Sequence, residues 1–159
     1  MSGRGRAIAV VVALGVGAAV AAGGAWAQSA AAQAVKDRQA NFKQLGGAFK
    51  ALNDQLKADK PDMAVIKASA LKMKALAAQE PTWFPAGSGP EAGVKTAAKP
   101  QIWSDAAGFA ARVKTLQLET TKLADAAAGG SLDAVKAQVP PTGKACAGCH
   151  DNYRVKPPA

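Results

Sequence analysis

A five-residue segment near the C-terminus, Cys146-Ala147-Gly148-Cys149-His150, restricts the architecture of this chain more than any other. The pattern C-x-x-C-H is the attachment signature of a c-type haem. On a helix, two thiols three residues apart lie on one face, so both can bond the vinyl groups at one porphyrin edge. The imidazole of His150 follows directly and can ligate the iron. The segment therefore predicts a helix that carries one covalently bound haem.

Three other uses of the cysteine pair are disfavoured. A thioredoxin-type dithiol follows a strand in a βαβ unit, and no such pattern surrounds Cys146. A closed zinc site needs four ligands, whereas the 2 cysteines and 1 histidine of the chain are too few. A disulfide between residues three apart closes a very small loop and stabilises little. Covalent haem attachment is the interpretation that uses all of these residues.

The first 27 residues have the organisation of a secretory signal peptide. Arg4 and Arg6 precede an apolar stretch over residues 7–22, and Ala25-Trp26-Ala27 is a small-x-small cleavage site. An uncleaved membrane anchor is the alternative, but this stretch is short for a span and only weakly hydrophobic. We predict cleavage at this site and a single domain over residues 28–159. We also predict a periplasmic location, since bacterial c-type haem is attached outside the cytoplasm.

The charge of the mature chain favours solubility and acidic partners. The full chain has 20 basic and 11 acidic residues, so loss of Arg4 and Arg6 leaves 18 against 11, a formal charge of +7. Two haem propionates would lower this to about +5. The lysines are scattered rather than clustered, which argues against nucleic-acid binding. After cleavage we expect no stable membrane association, and the charge suits a periplasmic redox partner with an acidic surface.

Apolar residues that recur in steps of three and four predict long helices, and no segment alternates like a strand. The first three helices are expected over about residues 30–58, 59–79 and 101–128, with Asp59 near the N-cap of the second. Between the second and third, residues 80–100 are rich in Pro and Gly and predict a long loop over a site or crossover.

The remaining C-terminal segment is expected to form two helices. Ser131 can cap a short helix that reaches Gln138, and Pro140-Pro141 is expected to break it. Thr142 can then cap a final helix that carries the haem segment. The predicted fold class is therefore all-α, an antiparallel four-helix bundle with covalently bound haem on its C-terminal helix.

The arrangement resembles the class II cytochromes c, in particular the cytochrome c′ family, where the haem segment also lies near the C-terminus. The resemblance rests on Ala34-Val35-Lys36-Asp37-Arg38-Gln39 in the first helix and on the haem segment Cys146–Arg154. Between them, Pro81-Thr82-Trp83-Phe84-Pro85 and Pro100-Gln101-Ile102-Trp103 match the loop of the family. We expect Trp83 and Phe84 to fasten this loop to the core.

The resemblance implies a set of residues that contact the cofactor. His150 is the proximal iron ligand, and Arg154, one turn later, lies beside its imidazole. Arg38 lies near a haem propionate, because a guanidinium suits a carboxylate. Phe42 faces the iron on the distal side, where its ring cannot ligate. The predicted haem c contacts are Cys146, Cys149, His150, Arg154, Arg38 and Phe42, with His150 as the metal ligand.

The sixth iron position has few other candidates. Met63 and Met73 lie in the apolar stripe of the second helix, where Met commonly fills gaps in a core. A lysine would have to be buried and deprotonated before it could bind. We therefore predict a five-coordinate, high-spin iron.

An apolar distal pocket predicts binding of NO and CO together with one-electron redox. It lacks the acid–base group that peroxide chemistry needs, so we predict no enzymatic activity. The resulting function would be gas binding or protection against nitrosative stress. The alternative is a periplasmic electron carrier with a six-coordinate, low-spin haem. The resemblance also implies a homodimer joined through the first two helices.

Overall fold

The computed structural model describes residues 17–156, and in this range the chain is an all-α bundle. Residues 1–16 of the predicted signal peptide and the last three residues of the predicted domain lie outside the described residues. Between residues 17 and 156 no strand forms, and the only β-type pairing is an isolated antiparallel bridge between Ala98 and Arg154. The helices are α1 (Gly17–Lys57), α2 (Met63–Gln79), α3 (Gln101–Ser104), α4 (Ala106–Ala128) and α5 (Leu132–Tyr153). The four long ones confirm the predicted four-helix bundle.

The core lies along the apolar stripes that the sequence spacing predicts. Each long helix contributes at least one residue with 0% exposure, namely Leu52 on α1, Ile66 on α2, Leu123 on α4 and Val135 on α5. Helix α1 packs against α2, α2 against α4, and α4 against α5, whereas α1 and α5 touch only sparingly. The side between α1 and α5 is therefore the least closely packed side of the bundle.

Helix α1 begins earlier than predicted, at Gly17 instead of near residue 30. Its Ala-rich start has high helix propensity, so the helix continues through the predicted cleavage site, where Trp26 is 77% exposed. Cleavage after residue 27 would leave the rest of α1 intact and stays a prediction. Within the described range, none of the helices is both long enough and apolar enough to cross a membrane.

The N-cap of α2 is Asp62, and the prediction of Asp59 is wrong. The Asp62 carboxylate accepts hydrogen bonds from the backbone N–H groups of Ala64 and Val65 at 2.8 and 3.4 Å. An N-cap side chain needs N–H donors two or three residues later. With Asp59 as the cap, the nearer of these positions would be Pro61, which has no N–H.

The predicted loop after α2 is confirmed, with short 3₁₀ turns at Glu80–Trp83 and Pro90–Ala92. Trp83 is buried and Phe84 is half-buried against the core, so both fasten the loop as expected. The third predicted helix is divided into α3 and α4 by Asp105, whose backbone leaves the helical region. Its carboxylate caps α4 by accepting a hydrogen bond from Gly108 N–H at 3.1 Å.

The predicted break at Pro140-Pro141 is wrong, because α5 runs continuously through both prolines. Proline inside a helix removes a backbone hydrogen bond and costs roughly 3 kcal/mol or more. Close packing of α5 on α4 outweighs this cost: Thr142 is fully buried and its hydroxyl donates to Gln138 O at 2.9 Å. The Gln138 amide donates in turn to Glu119 Oε2 on α4 at 2.5 Å. The haem segment thus lies at the end of one long helix.

Candidate haem site

The two cysteines lie on α5 where two apolar clusters meet. Both are half-buried thiols that form no disulfide in the part of the chain described. Cys146 packs against the main core, which includes Trp83, and Cys149 packs against a second cluster that includes Phe109 and Tyr153. Burial raises the pKa of both thiols, that of Cys149 to about 12. The pair therefore presents two neutral thiols from one helix to one apolar region.

His150 follows the cysteines in the last turn of α5, and its side chain is exposed. Partial burial, and next the positive charge of Arg154, lower the pKa of the imidazole. The neutral imidazole is the form that can ligate a metal. Arg154 is exposed, caps α5 and donates its backbone N–H to His150 O at 3.2 Å. The two residues are adjacent here, and the contact of Arg154 with an iron-bound imidazole stays a prediction.

The end of α5 is anchored by side-chain and backbone bonds. The Tyr153 hydroxyl donates to Asp105 Oδ2 at 2.6 Å, which lowers the pKa of Asp105 and raises that of Tyr153. Beyond the helix, Val155 N–H donates to Ala97 O at 2.8 Å, and Lys99 N–H donates to Tyr153 O at 3.0 Å. These bonds tie the turn that carries His150 to the loop and to the start of α4.

Phe42 forms one end of an aromatic series that extends from α1 to α5. Its ring is half-buried and meets Trp83 edge-on with centroids 5.0 Å apart, while Phe84 lies 6.1 Å away. Phe84 then contacts Phe109 at 4.9 Å, and Phe109 contacts Tyr153 at 5.3 Å. The three rings of Phe42, Trp83 and Phe84, here called the aromatic wall, carry no atom suited to ligate iron.

Arg38 is buried, with 3% of its surface exposed, and it holds the loop against α1. Its Nη1 donates to Trp83 O at 3.4 Å and Ser88 Oγ at 3.1 Å, and its Nη2 donates to Ser88 O and Thr96 Oγ1, both at 3.0 Å. The guanidinium also lies over the Phe84 ring, 4.6 Å from its centroid. Of its five N–H groups, one makes no hydrogen bond to any described residue and is left for another acceptor. A bond from that group to a haem propionate stays a prediction.

Glu80 is a member of this region that the sequence interpretation missed. It is 1% exposed, and its Oε2 has no hydrogen-bond partner among residues 17–156. Burial raises the pKa of Glu80 to about 7. Its negative charge in turn contributes to the raised pKa of both Cys146 and Cys149. A Glu directly before Pro81 at a helix end has the pattern of a solvated residue, so no local signal marks it as buried.

Replacing Glu80 with leucine is expected to remove a pH dependence of stability in the ferrous holoprotein. The pKa of Glu80 is about 7 in the fold and 4.5 ordinarily, so the folded chain keeps a proton that the unfolded chain releases between these values. The contribution of Glu80 to the free energy of unfolding is therefore at its maximum below about pH 4.5, and it is lost as pH rises through about 7. The difference corresponds to about 3 kcal/mol.

Chemical denaturation across this pH range measures the effect. Glu91→Leu is the matched control, since Glu91 lies in the same loop and is exposed. A Glu80→Leu chain whose free energy of unfolding follows pH as steeply as the wild type would contradict the prediction.

The residues present fit a covalently bound haem. One helix carries two thiols on one face and an imidazole in the next position. The thiols lie among apolar residues, and one carboxylate oxygen of the nearby buried Glu80, whose charge raises the pKa of both thiols, has no hydrogen-bond partner in the described part of the chain. Helix α1, which bears Phe42 of the aromatic wall, and helix α5, which bears the cysteines, contact each other only sparsely. In this arrangement Cys146 and Cys149 would hold the porphyrin and His150 would hold its iron.

Comparison with known proteins finds relatives along most of the chain. Residues 33–154 match the family model described as Cytochrome C′. The cytochrome c′ of Alcaligenes xylosoxydans xylosoxydans is 38% identical over 124 residues, which cover 77% of this chain and 94% of that protein. The family-model match includes α1 from residue 33 onward, the loop after α2 and the haem segment.

Solved structures show the same fold. A nitric oxide complex of a variant cytochrome c prime from Alcaligenes xylosoxidans superposes with a TM-score of 0.69 and 35% identity, covering 77% of this chain and 94% of that one. A cytochrome c′ with ligand-controlled dimer dissociation superposes with a TM-score of 0.73 and 25% identity, covering 79% and 97% of the two chains. The similarity therefore extends over nearly the whole length of each relative.

Proposed function

Because this chain belongs to the cytochrome c′ family and carries one haem c on Cys146 and Cys149, we propose that it binds NO and CO at a five-coordinate, high-spin iron. The observation that carries the proposal is the aromatic wall, whose three side chains offer the iron no sixth ligand. When bound, the haem supplies an iron that changes between Fe(III) and Fe(II) and binds small gases.

The residues of the chain leave one protein ligand for the iron. His150 is the single histidine, and the lowered pKa keeps it neutral near pH 7. Met73 is 0% exposed in the core, and Met63 packs against the same core cluster. Both methionines are therefore used in packing on α2. The aromatic wall excludes water and favours small, weakly polar ligands.

The biological setting belongs to the same proposal. The relative from Alcaligenes xylosoxidans forms a nitric oxide complex, which supports a role in NO binding and in protection from nitrosative stress. The predicted signal peptide supports a periplasmic location. A relative with ligand-controlled dimer dissociation supports a homodimer. We propose no enzymatic turnover, since the residues of the aromatic wall carry no acid–base group.

Absorption and EPR spectra of the ferric and ferrous holoprotein, with and without CO and NO, test this function. High-spin spectra that change on adding either gas are the expected result. The alternative is a six-coordinate, low-spin electron carrier, and a low-spin spectrum indifferent to CO would establish it.

Replacing Phe42 with methionine is expected to convert the iron to a six-coordinate, low-spin state. A thioether at this position can bind the iron that the phenyl ring cannot. If methionine occupies the iron in nine of ten molecules, the apparent CO affinity falls about tenfold. Absorption spectra and CO titration of the ferrous protein measure both changes.

Phe49→Met is the matched control for this variant. Phe49 is half-buried two turns further along the same helix, where its ring approaches Gly143 on α5, and it is not one of the three rings of the aromatic wall. The Phe49→Met variant should leave the spin state and the CO affinity unchanged. A Phe42→Met protein that stays high-spin would show that Phe42 does not face the iron.

A further inference from the structure

Glu80 is not among the residues proposed above to hold the haem or to bind gas, yet it is among the most buried polar side chains of the described residues. It lies in the 3₁₀ turn that follows α2, and this turn packs against α1, α2 and α4. One of its carboxylate oxygens has no hydrogen-bond partner within residues 17–156. A buried, unsatisfied polar group is rare in native proteins and calls for an explanation.

The surroundings of Glu80 provide no countercharge. None of the ion pairs formed by the described residues includes it. Arg38 is committed to the loop, Lys74 pairs with Asp125 at 3.9 Å, and Arg112 is exposed. Among the described charged side chains of α1, α2 and α4, the helices packed against this turn, only Arg38 is buried; Lys67, Lys74 and Glu119 are half-buried, and the others, Lys72 and Arg112 included, are exposed. On α5, the titratable groups that the charge of Glu80 reaches are Cys146 and Cys149.

Glu80 lies in the same 3₁₀ turn as Trp83, which belongs to the core cluster that Cys146 packs against. Its charge reaches the sulfurs of both Cys146 and Cys149, whereas Arg154 and Asp151 are the charges that act on His150. In the holoprotein these sulfurs are bonded to vinyl carbons of the porphyrin and do not bind the iron. Glu80 would therefore lie near the edge of the haem that Cys146 and Cys149 hold.

We propose that Glu80 is a proton-binding site coupled to the oxidation state of the haem iron. Glu80 takes up one proton from water as the iron gains one electron from a one-electron donor protein, changing from Fe(III) to Fe(II). On oxidation the electron leaves to an acceptor and the carboxyl group releases the proton. The charge of the site is thus the same in both states. The proposal rests on the haem at Cys146 and Cys149, which the family establishes, and is independent of gas binding.

The physical reason is the low polarity around the carboxylate. A buried charge without a partner interacts strongly with another charge nearby, because little solvent screens it. The ferric iron carries one more positive charge than the ferrous iron and favours the ionised carboxylate; reduction removes that attraction. The pKa of Glu80 is about 7 without the attraction of the ferric charge, so both protonation states are accessible near neutral pH.

The midpoint potential of the holoprotein, measured by spectroelectrochemistry from about pH 5 to about pH 9, tests the coupling. In the wild type the potential should fall as pH rises through neutrality, with a slope approaching about 59 mV per pH unit, the one-electron equivalent of a tenfold change. Glu80→Gln should lose this slope and keep the higher potential of the acid limb. Glu91→Gln, an exposed carboxyl in the same loop, should behave as the wild type.

A slope that persists in Glu80→Gln assigns the titration to the propionates or to another group and overturns the proposal. A wild-type potential that is independent of pH around neutrality overturns it as well.

Glu80→Leu, which leaves no buried polar atom, is the second variant should the glutamine form fail to fold. If neither variant folds, infrared difference spectra of the wild type decide, because reduction must produce the carbonyl band of a protonated carboxyl group. CO and NO titrations of the wild type test gas binding independently, so a failure of the proton coupling can be distinguished from a failure of the gas-binding function.

Discussion

A chain in which Cys146 and Cys149 are both replaced by alanine is expected to hold no covalent haem. The chain has 2 cysteines in all, so no other thiol can form a thioether bond. Each single variant should keep one thioether bond and leave one vinyl group intact, which shifts the haemochrome absorption band. His150 is present in all three variants and can still bind iron without covalent help.

Haem staining of denaturing gels and extraction into acidified organic solvent measure this loss. Haem should stay with the wild type and both single variants, and should leave the double variant completely. Haem that resists extraction from the double variant would contradict attachment at these residues. The stability of the double variant should depend on the concentration of added haem, because a ligand bound only to the fold stabilises it by mass action.

Replacing Arg38 with leucine is expected to destabilise the fold by about 4 kcal/mol. Leucine removes all four hydrogen bonds to the loop and leaves the carbonyl groups of Trp83 and Ser88 without their donor. Each buried carbonyl left unsatisfied costs about 1–3 kcal/mol. The contact of the guanidinium with the Phe84 ring is also lost. The stability of Arg38→Lys should lie between that of the wild type and that of Arg38→Leu, since an ammonium group cannot reproduce the planar arrangement of guanidinium donors.

Chemical denaturation of the holoprotein measures this effect, and Gln39→Leu is the matched control. Gln39 is the next residue on α1 and donates one exposed hydrogen bond to Lys95 O in the same loop, at 2.9 Å. Its loss should cost about 1 kcal/mol or less. An Arg38→Leu protein as stable as Gln39→Leu would show that the buried network does not hold the loop.

The same variant should disturb gas binding. Arg38 binds the carbonyl of Trp83 and covers Phe84, so two of the three rings in the aromatic wall depend on it for position. A loosened wall admits ligands and water more readily, and CO should associate faster with Arg38→Leu than with Gln39→Leu. On this prediction the first-helix arginine acts on the proposed distal side through the loop, in addition to any bond with a propionate.

The features that could be predicted from the sequence are those with local causes. The haem segment is recognisable because two thioether bonds and one iron ligand require a set spacing within five residues, and the chain has only one histidine. The core residues Ile66 and Met73 follow from helical periodicity, which is a property of neighbours along the chain. The loop after α2 follows from its Pro and Gly content, and the burial of Trp83 follows from its large apolar ring.

Other features depend on contacts between distant residues and were decided only by the tertiary structure. The continuity of α5 through Pro140 and Pro141 rests on packing against α4, which propensity cannot anticipate. Arg38 is committed to acceptors 45 to 58 residues away, so its chain neighbours do not reveal its partners. Glu80 has the local pattern of an exposed helix end, yet helices from three parts of the chain enclose it. Spacing along the chain determines which chemistry is available, whereas burial, and with it charge state, is set by the elements that pack around each group.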